Sequence, residues 1–204
     1  MSDYIYAIEF NLGARGDAAE EILADAARTW PKVWGEIPGV TSTVLLSSAL
    51  ALGGEFDYQL RVGLESLATL ARVDEAIKSG ANGWRKASAS WFRHRTAARA
   101  HVSQYVDGDR GYSQAGEGRA GAIHIAFQAA DSGKALDTAS LESVSGVVST
   151  QGLRPVLGGA GAEQRWVRLE SLESLDRVSE LLGAGTAAVF GELREVDGAL
   201  FAGA

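Results

Sequence analysis

The chain has 204 residues, 46% of them hydrophobic and 22% charged, a globular balance long enough for one domain or two small ones. A formal net charge of -7 without a dominant basic tract disfavours general nucleic-acid binding. The absence of cysteine excludes a disulfide framework, a thiolate nucleophile and a cysteine metal site.

The N-terminal stretch "MSDYIYAIEF" begins acidic and turns into strand rhythm. It lacks the basic segment and long apolar run of a signal peptide, and no apolar run reaches membrane-spanning length, so a cytoplasmic protein is expected. Alternation predicts a strand over about residues 3–12, and helical spacing predicts a helix over about 17–30. In "TWPKVWGEIPGV" Pro31 is expected to interrupt that helix. Trp30 and Trp34 there can form a lid or seal the helix against a sheet, and sealing is the simpler reading. Strands follow at about 41–52 and 56–65, a helix at 67–80, a helical stretch at 83–94 and a strand at 98–106. Trp84 and Trp91 are seven apart and share one helix face, so this basic stretch reads as a solvated helix docked through its tryptophans. Residues 107–120 are Gly-rich and polar, a linker by composition. Beyond them come a strand at 121–129, a weak helix near 137–148, strands at 152–158 and 163–170, a helix at 172–186 and a strand at 189–196.

One phrase occurs twice. "VGLESLATLARVDE" (62–75) and "VRLESLESLDRVSE" (167–180) agree at nine positions, among them Leu64/Leu169, Ser66/Ser171, Leu70/Leu175 and Val73/Val178. Each copy is a strand running into an amphipathic helix, with a serine placed to cap it. "YIYAIEF" (4–10) aligns with "GAIHIAF" (121–127), and "VDG" closes both halves at 106–108 and 196–198. The predicted organisation is therefore a first repeat over 1–106, the linker over 107–120 and a second repeat over 121–204. Each repeat reads strand, helix, strand, strand, helix, strand. Four strands with helices on one face leave the other face bare, and two such units can cover each other. This order resembles the dimeric α+β barrel superfamily in a single-chain form. The resemblance implies an α+β fold: two ferredoxin-like repeats packed sheet-to-sheet as an intrachain α+β barrel, complete as a monomer, with a homodimer through outer surfaces also open. Amino-acid-binding regulatory modules and tandem RNA-binding modules share the element order. The former pair side by side, and the latter need an aromatic strand motif that is missing here.

Alternation sorts the strand residues between the helix side and the barrel interior. Tyr4, Tyr6, Ile8 and Phe10 face the helices; Glu9 and Asn11 face inward, as do Gln59 and Arg61, His101 and Tyr105, His124 and Gln128, and Trp166 and Arg168. The strand "VFGELREV" alternates too poorly to orient. An interior this polar suits a ligand-filled pocket better than a structural core. His101 and His124 are the candidate proton-transfer groups, Glu9 a tautomer-setting or accepting carboxylate, and Arg61 and Arg168 the oxyanion holders. Trp166 and Tyr105 can stack on an aromatic ligand, with Asn11, Gln59 and Gln128 as polar contacts. No ligand spacing points to a metal, so neither metal nor organic cofactor is expected. "GEGRAG" (116–121) precedes a strand instead of following one and is not a dinucleotide fingerprint. The resemblance implies a cofactor-independent monooxygenase acting on an aromatic or polyketide-like compound. A cyclase or isomerase of the same fold, or a non-catalytic binding or stress-related protein, are the alternatives.

Overall fold

The computed structural model describes residues 3–50, 54–106, 123–129, 138–159, 163–182, 187–196 and 201–202, with backbone alone at 128, 129, 138, 182, 187–191, 201 and 202. The predicted linker lies outside the described residues. Strand β1 (Tyr4–Leu12) sends Tyr4, Tyr6, Ile8 and Phe10 to the helix side, where they meet Leu60, Val62 and Leu64 of β3 (Tyr58–Leu64). Above this face lie α1 (Asp17–Gly35), α2 (Thr69–Ser79) and α3 (Trp84–His94), each burying one apolar stripe.

Helix α1 runs through Pro31 without ending there. A proline removes one backbone bond and usually breaks a helix, but here both sides of it are anchored: Trp30 and Trp34 are buried against Trp84, Trp91 and Phe10. Edge-on contacts bind this cluster, with ring centroids 4.9 Å apart for Trp34–Trp84 and 4.4 Å for Phe10–Trp91. The two α1 indoles seal the helix to the sheet within this helix-side cluster.

All pairings are antiparallel. β2 (Val40–Ser47), β3, β1 and β4 (Arg95–Tyr105) form one run in the order β2-β3-β1-β4. β5 (Ile123–Ala129), β6 (Val147–Leu157), β7 (Gln164–Leu169) and β8 (Ala187–Glu195) form another in the order β8-β5-β7-β6. The two runs are stitched along both edges. β4 joins β6 from Val102↔Leu157 to Tyr105↔Leu153, and β2 joins β8 at Leu46↔Glu195 and Ser47↔Arg194. Eight strands thus close a barrel, and β9 (Phe201–Ala202) adds two pairs to β2. The sheets share hydrogen-bonded seams, a tighter union than two stacked faces, and closure removes the sheet edges that would otherwise stay unpaired at these seams.

On the second run, α4 (Thr138–Glu142) and α5 (Leu175–Leu182) cover Ile123, Ile125, Phe127, Val167 and Leu169. The first of these helices is shorter than the predicted 137–148, because Val147 and Val148 already belong to β6. β-branched residues favour the pleated strand over a helix. Ser171 caps the turn Leu172–Ser174 by accepting from the Glu173 N–H at 3.3 Å, as the repeated phrase predicts. Its counterpart Ser66 closes the entry to α2 through its backbone carbonyl instead, from Thr69 N–H at 3.1 Å. Five α-helices are present among the described residues, and none is long and apolar enough to cross a membrane.

Candidate active site

The barrel interior is lined by Ile5, Ala7, Val44, Leu46, Ala126, Leu153, Trp166 and Leu193, interrupted by polar side chains. Register fixes how those polar groups meet. On β3, β1 and β4 the inward residues form rows across the strands: Arg61, Ala7 and His101 in one, Gln59, Glu9 and Arg99 in the next. Ala7 is the small member of its row, so Arg61 and His101 face each other over a gap. Two strand spacings put their Cα atoms about 10 Å apart.

A cavity of about 410 Å3 opens over these rows. Glu9, Gln59, Arg61, Arg99 and His101 line it from one side, Trp166, Gln164, Leu153 and Leu193 from the other, and Phe56 and Asp57 at the rim. Gly158, with φ +68, lets the end of β6 come in beside His101; a Cβ there would lie 2.7 Å from the Ala100 carbonyl oxygen.

Hydrogen bonds chain the rows together. Arg99 donates twice to one Glu9 oxygen, at 2.8 and 2.6 Å. Gln59 donates to the other at 3.1 Å, and its own carbonyl accepts from Arg61 Nε at 2.5 Å. Arg61 then sits over Trp166, its guanidinium carbon 4.0 Å from the ring centroid. Trp166 in turn donates its indole N–H to Gln164 at 3.3 Å. The two glutamines stand at matching places, three residues before each copy of the repeated phrase and two residues before the side chain each orients.

His101 is held below the ordinary histidine value, first by burial and then by the Arg61 and Arg99 cations, against the opposing pull of Glu9. It is therefore a neutral imidazole at pH 7, able to accept a proton.

His124 and Arg168 point inward but do not line the cavity. They lie deeper with Glu195 of β8, at side-chain exposures of 1%, 3% and 3%. Glu195 contacts His124 Nε2 at 2.8 Å, Arg168 Nε at 2.8 Å and the Arg168 terminal nitrogen at 3.1 Å. Burial drives His124 down to about 4, with Arg61 and Arg168 adding to it and Glu195 opposing. Burial alone would raise Glu195, but its bonds to His124 and Arg168 outweigh that and leave it below the ordinary carboxyl value. A neutral imidazole facing a carboxylate must carry its proton on Nε2 and donate it. The charges of Arg168 and Glu195 cancel, so the cluster is a neutral plug beneath Arg61.

The remaining predicted contacts lie elsewhere. Asn11 ties down the rim: it donates to the Glu55 carbonyl at 3.0 Å and accepts from the Asp57 N–H at 2.8 Å. Tyr105 packs on the interior apolar cluster outside the cavity lining. The side chain of Gln128 lies outside the described residues. The sequence does not orient Glu192 and Glu195, because each alternating face of β8 mixes apolar with acidic residues and a register shift lies opposite Ala126 and Phe127 of β5. Glu192 reaches the cavity wall and accepts from the Ala49 and Leu50 N–H groups at 3.1 and 3.0 Å, holding the chain after β2 in place. Among the described residues, no group of three or more His, Cys, Asp or Glu side chains is arranged to hold a metal ion.

No family model matches the chain, and neither does any curated protein sequence. Solved structures do match over nearly its full length. A candidate monooxygenase from Lactobacillus acidophilus NCFM is 12% identical, covers 99% of this chain and 97% of its own, and superposes with a TM-score of 0.58. An anthrone oxidase-like protein is 15% identical, covering 99% and 95%, with a TM-score of 0.60. A candidate chlorite dismutase is 13% identical, covering 98% and 97%, also at 0.60. At such identities the likeness is one of fold. The chain shares the fold of these proteins, an eight-stranded antiparallel barrel that here is closed within a single polypeptide.

Proposed function

We propose that this protein is a small-molecule oxygenase that binds a planar, weakly acidic aromatic compound in the barrel cavity and needs no separate reducing cofactor. The observation that carries the reading is the row Arg61–Ala7–His101: a base held neutral and a fixed cation face each other across a gap, beside the Trp166 ring. Trp166 supports the ring of the ligand. Arg61 receives the phenolate or enolate oxygen, and His101 takes the proton from the adjacent carbon or hydroxyl. The Glu9 carboxylate steadies the imidazolium that results.

For an anthrone-type substrate the balance closes without a further reductant. His101 removes a proton from the ring methylene, and the enolate gives its electrons to dioxygen. A carbon–oxygen bond forms, giving a hydroperoxide. Loss of water then breaks the oxygen–oxygen bond and leaves a carbonyl. One oxygen atom stays on carbon and the other leaves in water with both methylene hydrogens. The same base and cation would also serve a cyclase or isomerase that uses no oxygen. We further propose that the two strand runs are ferredoxin-like repeats joined in tandem; the repeated phrase and the matching strand orders support this.

Oxygen uptake with anthrone as the probe tests the function. Consumption of one dioxygen per carbonyl formed is expected, and replacing His101 by Ala should lower kcat at least a hundredfold with a much smaller change in KM. Turnover without oxygen uptake would point to isomerase chemistry. An undiminished rate in His101→Ala would remove His101 as the base.

A further inference from the structure

Arg99 is joined to Glu9 by two short hydrogen bonds, yet its side chain is 55% exposed while that of Glu9 is 18% exposed. Its guanidinium also lies 5.2 Å from the Phe56 ring centroid at the cavity rim. Glu9 does not depend on Arg99 for its place, because Gln59 holds its other oxygen. A half-exposed ion pair is weak in water and exchanges partners readily. The cavity thus has one fixed cation at depth, Arg61, and one exchangeable cation at its mouth. Arg61 and Arg99 are two strands apart and one row offset, about 12 Å between Cα atoms from standard strand spacing and rise. Both line the cavity, and its volume of about 410 Å3 leaves room for a fused two-ring ligand between them.

We propose that Arg99 is a specificity latch: it leaves Glu9 to bind a carboxylate carried on the ligand at the end remote from the reacting oxygen, so that the site selects aromatic acids over neutral aromatics. The inference rests on the proposed function for the orientation of the ligand. It also assigns Glu9 a second task. Once Arg99 turns to the ligand, the Glu9 carboxylate is no longer neutralised, and it stands diagonally across from His101 on the same face of β1 and β4. The charged groups that act on His101 are Glu9, Arg61 and Arg99. Releasing Glu9 therefore favours the imidazolium, and the base strengthens only when the correct acid is bound.

Two air-stable probes separate the alternatives: 2-naphthol, and 6-hydroxy-2-naphthoate, which adds a carboxylate at the far end. Calorimetric titration of the wild-type protein should give at least tenfold tighter binding of the hydroxynaphthoate, and in Arg99→Gln the ratio should fall to near one. A histidine NMR titration should show the His101 midpoint rising by roughly one pH unit with the hydroxynaphthoate but not with 2-naphthol, and Glu9→Gln should abolish the rise. A purely structural Arg99 would leave that midpoint unmoved by the carboxylate. Binding of both probes with no Arg99-dependent preference would overturn the latch while leaving the aromatic site standing. Binding of neither would remove the aromatic site and the latch together.

Discussion

The buried His124–Glu195–Arg168 cluster makes a quantitative prediction about acid stability. In the unfolded chain His124 titrates near its ordinary 6.5, whereas in the fold burial takes it to about 4. Between these values the unfolded state binds a proton that the native state refuses. Stability therefore falls as pH drops from about 6.5 to about 4, and the gap corresponds to about 3 kcal/mol. Glu195 acts lower on the scale: its depressed carboxyl stabilises the fold above its unfolded value and that contribution fades as pH falls further. A His124→Gln variant keeps a side-chain N–H to donate to Glu195 but cannot titrate. Urea unfolding followed by tryptophan fluorescence at pH 4 to 7.5 should give a wild-type curve that loses about 3 kcal/mol more than the variant over this range. His101, which is also depressed, is common to both proteins and cancels in the difference. Parallel curves, or a His124 midpoint at or above 6.5 by NMR, would refute the argument and with it the neutral, proton-donating state of His124.

Other consequences follow from the cavity rows. Ala7→Leu should fill the gap between Arg61 and His101, lowering kcat/KM for an anthrone probe about a hundredfold or more while the melting temperature moves only a few degrees, because the added atoms enter the cavity and not a packed core. Gln59→Met should release Arg61 from its fixed pose and lower kcat roughly tenfold or more, with a smaller effect on binding of a neutral aromatic. Protein purified without chelator should show no stoichiometric iron or zinc on elemental analysis and no haem band in its visible spectrum; a stoichiometric metal or haem would replace the substrate-borne electron supply proposed above.

How much of this the sequence carries differs between the two strand runs, and the reason is physical. In β1, β3, β4, β5 and β7 a strict two-residue period survives, so the inward placement of Glu9, Arg61, His101, His124 and Trp166 can be read by counting. Depth along the barrel cannot be counted in the same way. His124 and Arg168 share a face with Trp166, but they sit farther along the axis, where Glu195 comes across from β8 to claim them. That strand gives no warning, because each of its two faces mixes apolar with acidic residues and a register shift near its start further blurs the count. Pro31 misleads for the opposite reason. Local chemistry argues for a break, and four buried tryptophans around it outweigh one lost backbone bond.

The repeated phrase bears on why one chain holds both strand runs. Gln59 and Gln164 stand at matching positions and each orients the side chain two residues on, yet those side chains are Arg61 in one copy and Trp166 in the other. The two meet on the barrel axis as a cation on a ring. Two identical subunits related by a two-fold axis would bring like to like at such a position, either two arginines that repel or two tryptophans that supply no charge. Only a polypeptide carrying both copies can place Arg61 on Trp166. The same freedom lets the first copy hold Ile5 opposite Gly63 while the second holds His124 opposite Arg168 at the matching register, buried in its ion cluster. Fusion thus lets the two strand runs carry different side chains at matching depths, Arg61 against Trp166 and Ile5 against His124. A chain in which Trp166 is replaced by Arg would restore the like-with-like arrangement. Its stability should drop steeply at low salt and recover in part at high salt, since the new repulsion is Coulombic and screened. Trp166→Phe, which keeps the ring under Arg61, should show no such salt dependence. Equal salt dependence in the two variants would mean that Arg61 and Trp166 are neighbours by packing alone, and that asymmetry at the barrel axis is not what the single chain achieves.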